Sequence, residues 1–239
     1  MSYRESHRGA GRGDLYDSRY SMGAEAFHWL HIERPFLLRL FDDVAQTSRG
    51  PLLDFACGTG RILEVAETRF SKTWGIDVSD DMLAVARQKC PKSRILRADV
   101  TDGTVQLESF AVITAFRFLL NAEPPLRLAV LRWMRRTLAP DGILIVNNHL
   151  SASSLQGLRH RYHAWRGRPP VTVLGDHEVR SLLGHAGFAV NRTYGLGLIP
   201  PRTDEVFLPE RVLLAAEHIL RLPGLQRLAY NQIYVCRPR

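Results

Sequence analysis

The sequence predicts an α/β protein: a doubly wound, mostly parallel sheet covered by helices on both faces. Three observations carry that expectation. From residue 51 to 150, short apolar runs alternate with amphipathic stretches, strand then helix. One run, "FAVITAF" at residues 110–116, is continuously apolar, as a strand buried on both faces must be. The first run, "LLDFA", passes into two glycines one residue apart, a turn whose backbone must come close to something.

The elements follow in order. Between Met22 and Ala45, Phe27, Leu30, Leu37, Leu40, Phe41 and Val44 recur at roughly helical spacing, and Pro35 is expected to separate two helical pieces. "QTSRGP" breaks the pattern and "LLDFA" begins a strand. "RILEVAETRF" reads as a helix, "TWGIDVS" as a strand ending in an acid, and "DDMLAVARQKC" as a helix capped by Ser79. "RILRADV" and "FAVITAF" are strands. "PPLRLAVLRWMRRTL" is a helix with Pro125 near its start, "APDG" a turn and "ILIVNNH" a strand. "SASSLQGLRHRYHAWRGRPP" is polar, basic, aromatic and partly helical. "GDHEVRSLLGHAGF" is a helix stopped at Gly187, "AVNRTYGLGLIPP" a strand, "PERVLLAAEHILRL" a helix and "RLAYNQIYVCR" a final strand. The expected layout is a flexible arm over 1–13 and one domain over 14–239. Within the domain, 14–48 form an N-terminal helical cap and 150–174 an insertion expected to serve as a lid.

With 239 residues, 45% hydrophobic and 23% charged, the chain suits one globular domain. No apolar run approaches the roughly 20 residues that span a bilayer, and the Arg-rich start lacks the apolar stretch of a secretory signal. A cytoplasmic location is therefore expected. Cys57, Cys90 and Cys236 are scattered, and the pairs His28/His31 and His160/His163 lack acidic or Cys partners, so neither a disulfide framework nor a metal site is expected. Much of the +8 net charge lies in the last third, where residues 151–239 carry 12 basic and 6 acidic groups. Such a bias attracts anionic partners or reflects an arginine-rich surface.

In an open parallel sheet, ligands sit beyond the carboxyl ends of the strands, where the strand order reverses. Gly58 and Gly60 fall in the first such turn, with Asp54 before them. Asp77 ends the next strand, 23 residues on, where a carboxylate can accept both ribose hydroxyls. Asp99 ends the third strand, placed to accept from the exocyclic amine of adenine. Each acid alone reads as a turn former; the three together define a nucleoside site. "DFACGTG" lacks both the G-x-G-x-x-G of dinucleotide turns and the Gly-Lys-Ser/Thr of a P-loop. Its acid opposes a pyrophosphate and suits a ligand carrying an ammonium group.

At these residues the chain resembles the class I S-adenosylmethionine-dependent methyltransferases. "LLDFACGTGRIL", "WGIDVSDDMLAVAR", "LRADVTD", "LAPDGILIV" and "EVRSLLGHAGFAV" carry the resemblance across nearly the whole chain. It implies a Rossmann-like sheet whose last strand is antiparallel, and S-adenosyl-L-methionine as cofactor. It implies that Asp54, Ala56, Gly58 and Gly60 cradle the methionine and ribose portions, although Ala56 stands where the family's first glycine usually does. Asp77 would hold the ribose, Val78 and Met82 the adenine, and Asp99 with the Val100 backbone the adenine amine. Tyr16 and Tyr20 are candidates to close over the cofactor, and Phe116 is counted with the cofactor-binding residues.

The acceptor would meet the segments after the fourth and fifth strands, "FRFLLNAE" and "NNHLSASS". His149 is the candidate general base for an alcohol or phenol; its alternative is to cap the strand end. Arg117 and Asn121 are candidates for acceptor binding, Asn147 and Asn148 for a polyol. The family's "N/D-P-P-Y/F" signature for adenine nitrogens is missing. Arg159, Arg161, Arg166 and Arg168 would suit an acidic acceptor or, with Tyr162 and Trp165, a membrane surface. The reading is O-methylation of a small molecule or glycan, anionic acceptors included. The alternatives are C-methylation of a quinone or lipid precursor, nucleic-acid methylation, disfavoured for want of a recognition domain, and a non-enzymatic cofactor-binding protein.

Overall fold

The computed structural model describes residues 12–18, 22–103, 105–169, 171–198, 209–220, 222 and 224–239. In chain order these form α1 (Arg12–Ser18), α2 (Gly23–His28), a π turn (Trp29–Glu33), α3 (Arg34–Thr47), β1 (Leu52–Phe55), α4 (Arg61–Ala66), β2 (Thr73–Asp77), α5 (Asp80–Lys89) and β3 (Arg94–Arg97). They continue with β4 (Phe110–Ala115), α6 (Pro124–Thr137), β5 (Leu138–Asn148), α7 (Leu155–Trp165), α8 (Asp176–His185), β6 (Phe188–Leu196), α9 (Glu210–Ile219), a 3-10 turn (Leu225–Leu228) and β7 (Asn231–Pro238).

One seven-stranded sheet runs β3-β2-β1-β4-β5-β7-β6, and β7 pairs antiparallel with both neighbours. The β3-β2-β1-β4-β5 pairings are parallel. Order reverses between β1 and β4, so a crevice opens at their carboxyl ends. This is the doubly wound sheet, antiparallel at its last strand, that the sequence and its resemblance imply.

Side chains alternate across the sheet with the strand period of two. Leu53, Leu144 and Val146 pack under α6 and α8 with Leu131, Met134, Val179 and Leu183. Leu52, Ile143 and Ile145 face the other way, against Leu37, Phe41 and Val44 of α3 and Ile62 and Val65 of α4. Each such side chain, fully buried, contributes about 1.5–3 kcal/mol. A helical stripe matched to a pleated surface on both faces is what makes the sheet a two-sided core.

Two local expectations need correction. Pro35 does not break the helix: the path from Gly23 to Thr47 stays helical, widened at Trp29–Glu33, with Arg34 N–H donating to the Trp29 carbonyl five residues back. Proline has no N–H for the i−4 carbonyl, and a wider turn absorbs that loss without ending the helix. "APDG" is likewise drawn into β5, which pairs at Leu138 with Phe110 and resumes at Ile143 with Val112, leaving the residues between as an irregularity.

Candidate functional site

The turn after β1 is held in left-handed backbone at three positions: Ala56 (φ +54°), Gly58 (φ +53°) and Gly60 (φ +82°). Its two glycines serve different ends. A Cβ on Gly58 would meet nothing within 4 Å, so the space above it is open. A Cβ on Gly60 would lie 2.8 Å from Cys90 Sγ and 3.2 Å from Ala86 Cβ, so Gly60 is needed for packing α4 against α5. The Gly58 amide donates to Asp77 Oδ2 at 2.9 Å and the Ser79 amide to Oδ1 at 3.0 Å, which fixes the Asp77 carboxylate beside the turn. Ser79 then caps α5 by accepting from the Met82 amide at 3.4 Å.

Asp54, Ala56, Gly58, Asp77, Met82, Phe116, Arg117, Asn121 and His149 line one cavity of about 260 Å³. Tyr16 lines it too, delivered by α1. That short helix is tied down by Gly13 N–H to Asp81 Oδ2 (2.6 Å), and by Asp17, which accepts from Thr59 (3.1 Å) and Lys89 (2.7 Å). Beside it lies an apolar slot of about 30 Å³ between Phe55, Ile76, Phe118 and Val130, edged by Val78, Asp99 and Val100. Ala56 and Asp77 line both spaces. Asp99 also accepts from the amide and hydroxyl of Thr101, at 3.0 and 2.6 Å.

Asp54 is buried: Oδ1 accepts from Thr114 Oγ1 at 2.7 Å, while Oδ2 has no partner among the described residues. Burial drives its pKa up to about 7, against the pull of the Thr114 hydrogen bond and Arg61. An orphaned buried carboxylate oxygen of this kind calls for a cationic or donating ligand.

Below the cavity runs a buried polar chain. Arg61 lies over the Trp29 ring, 4.4 Å from its centroid, and pairs with Glu33 at 2.7 Å. Asn231 donates to Glu33 at 3.2 Å, Asn147 donates to Asn231 at 2.9 Å, and Asn147 accepts from the Arg117 amide at 2.6 Å. Burial alone would raise the Glu33 pKa, but Arg61, with His28 and Arg117, outweighs it and holds the carboxyl at about 2. The chain also holds Arg117 in left-handed backbone (φ +57°), turning the end of β4 toward the cavity.

Two histidines complete the region. His149 lines the cavity with a buried, unpartnered Nδ1. Burial first, then Arg117, lowers its pKa to about 3, so the imidazole is neutral at physiological pH. His28, 5.1 Å from the Tyr230 ring, is held to about 4 by burial, and its Nε2 has no partner.

Some expected residues are placed elsewhere. Gly60 lines neither space. Asn147 is taken up by the buried chain, and Asn148 points its amide to the Leu174 carbonyl at 2.8 Å, so neither reaches a polyol. Asn121 lines the cavity while donating to the Arg117 carbonyl at 2.7 Å. Tyr20 lies outside the described residues. Sequence reasoning missed Arg61, Thr59 and Ile62 in the cavity wall, and Glu33 and Asn231 behind it. Arg61 directly follows the glycine turn, the one signal that could have found it.

The strand-order reversal places the acid-bearing turns, the cavity and the apolar slot together at one crevice of an α/β protein. Residues 52–142 match the family model of a methyltransferase domain. The chain is 34% identical over 97 residues to a dTDP-3-amino-3,4,6-trideoxy-alpha-D-glucopyranose N,N-dimethyltransferase of Streptomyces venezuelae, covering 40% of each chain. It is 34% identical over 111 residues to a trans-aconitate 2-methyltransferase of Rhizobium meliloti, covering 45% of this chain and 41% of that one. The matches thus span about two-fifths of these curated relatives. Among solved structures, magnesium protoporphyrin IX methyltransferase from Synechocystis PCC 6803 superposes with a TM-score of 0.65 at 13% identity, over 95% of this chain and 93% of that one. At that identity the likeness is one of fold.

Proposed function

We propose that the chain binds S-adenosylmethionine and transfers its methyl group to a hydroxyl of a small molecule or glycan. The observation that carries this reading is the buried, unpartnered Oδ2 of Asp54 in a cavity joined through Asp77 to an apolar slot. An α-ammonium would satisfy Asp54, ribose hydroxyls would share the Asp77 carboxylate with its two amides, and adenine would enter the slot beside Asp99 and Val100. When bound, the cofactor supplies an electrophilic methyl carbon together with its own leaving group.

The protein's part is alignment and exclusion of water. Neutral His149 accepts a hydrogen bond from the acceptor O–H and points its oxygen into the cavity. With its basicity lowered by burial, it orients the acceptor and takes the proton only as transfer proceeds. Tyr16 covers the cavity from α1. The two curated relatives, an amino-sugar N,N-dimethyltransferase and a trans-aconitate 2-methyltransferase, support a small acceptor.

Calorimetric titration with S-adenosylhomocysteine, beside Asp77→Ala, tests the reading. Binding by the parent and loss of about 1.5–3 kcal/mol or more in the variant is the expected result, the range for a hydrogen bond to a charged group. A folded parent that does not bind overturns it. An acceptor screen then begins with sugars, phenols and small carboxylic acids.

A further inference from the structure

We propose that α7 is an interfacial helix that seats the protein on an anionic lipid surface. On this helix Leu155, Leu158, Tyr162 and Trp165 are 54, 47, 55 and 78% exposed. At 100° per residue they fall within one arc of about 80°. The opposite side holds buried Gly157 and half-buried Ala164, so the apolar stripe points directly away from the body of the protein. Arg161 flanks the stripe on one side, Arg159 and Arg166 on the other, all exposed.

This is the pattern of a helix lying in a headgroup plane: apolar residues inserted, aromatics at the boundary, and arginines reaching up along their stems to the phosphates. The helix is also held firmly. Ser154 accepts from the Gly157 amide at 3.0 Å and donates to the Ser151 carbonyl at 2.7 Å, and Gly157 packs so closely on Ser151 that a side chain there would collide. Tyr162 and Trp165 stack as a tilted pair, centroids 5.9 Å apart.

Charge decides the partner. No Asp or Glu occurs from Gly142 to Gly175, and among the described residues none of Arg159, Arg161, Arg166 and Arg168 makes an ion pair. A second copy docked stripe to stripe would bring these arginines together without acids between them. A nucleic acid would satisfy the arginines but leave Leu155 and Leu158 in water. An anionic bilayer satisfies both sets. Leu155 begins six residues beyond His149, so the seated helix would lie beside the segment that meets the acceptor.

The test is sedimentation of the full chain with vesicles of phosphatidylcholine alone and of phosphatidylcholine mixed with phosphatidylglycerol. Binding is expected on the anionic vesicles only, weakening with salt. Leu158→Ser with Trp165→Ser should reduce it about tenfold or more, because two inserted side chains are lost. Arg161→Glu should reduce it several-fold and flatten the salt dependence. Since Trp29, Trp74 and Trp133 are buried, a blue shift of tryptophan emission on vesicle addition reports Trp165. All substituted positions are exposed, so melting temperatures should match the parent.

No vesicle binding by a folded parent overturns the proposal. So does binding that the variants leave unchanged, a dimer abolished by the double variant, or tighter binding to RNA than to vesicles. The proposal is independent of the methyl-transfer reading: cofactor calorimetry and vesicle binding fail separately.

Discussion

Asn231 donates its side-chain amide to Oε1 of Glu33, 198 positions earlier, and in doing so joins the last strand to the N-terminal helices. The same Glu33 holds Arg61, which follows the glycine turn. Three distant segments therefore meet at one carboxylate. Asn147 and the Arg117 amide continue the chain, so Arg61 and Arg117 in the cavity wall are held by Glu33, Asn231 and Asn147, which do not line it.

Glu33→Ala breaks the buried ion pair with Arg61 and should cost about 3–5 kcal/mol. Glu33→Gln, which keeps a hydrogen bond, should cost less. Urea unfolding of the two variants checks the order. The Glu33 carboxyl, depressed from 4.5 to about 2, contributes stability that is present above 4.5 and lost as pH falls through about 2.

His28 and His149 carry the opposite charge on protonation but act in the same direction. Their folded pKa values, about 4 and about 3, lie below the unfolded value of 6.5, so their contribution is complete above pH 6.5 and declines as pH falls toward those values. Asp54 runs the other way. Raised from 3.8 to about 7, it contributes stability that is full below 3.8 and lost as pH rises through 7. Asp54→Asn should therefore gain melting temperature over the parent between pH 4 and 8, while losing affinity for S-adenosylhomocysteine. A scan of melting temperature against pH, without ligand, separates these slopes.

Gly58→Ala and Gly60→Ala differ by two positions and should fail differently. Both force a Cβ into left-handed backbone, at about 1–2 kcal/mol. At Gly58 the methyl enters open space where the ligand would lie, so cofactor binding should fall more than stability. At Gly60 it meets Cys90 and Ala86, so stability should fall by a further 1–3 kcal/mol or so, with binding by the folded fraction little changed. Equal losses of binding in the two would refute this division.

His149→Leu should lower kcat by about a hundredfold, the lower end of the range for a proton-handling group. His149→Gln, which restores an acceptor, should recover part of it. Calorimetry should show cofactor affinity unchanged in both. A loss confined to KM would mean that His149 only binds the acceptor.

The sheet was legible because its strands are short, apolar and separated by amphipathic helices. That the glycine turn and the strand-end acids lie together was legible because a parallel sheet brings successive strand ends to one crevice, where Asp54 and Asp77 line the cavity and Asp99 the slot. Glu33, Arg61 and Asn231 were not, because their partnership depends on segments far apart in sequence. A buried ion pair leaves no periodicity: Glu33 reads as one more polar residue on an amphipathic helix. Gly60 packs on Cys90 and Ala86, which its sequence position does not reveal. A glycine needed for helix packing and a glycine needed for ligand approach look identical in one sequence. Pro35 misled because a π turn can take up a missing N–H, and nothing local distinguishes that outcome from a break.

The widened turn at Trp29–Glu33 lies between two halves of one helical path. Its extra residue is taken up within one wider turn, whereas the same residues wound as a regular helix would be out of phase by about one residue, about 100°. Deleting one residue there should let a regular turn form with Phe27 and His28 still on their buried face, while straightening the segment with every residue kept would swing them off it. The wide turn thus works as slack in the helical path, absorbing one residue of length while the face of α2 stays aligned with that of α3.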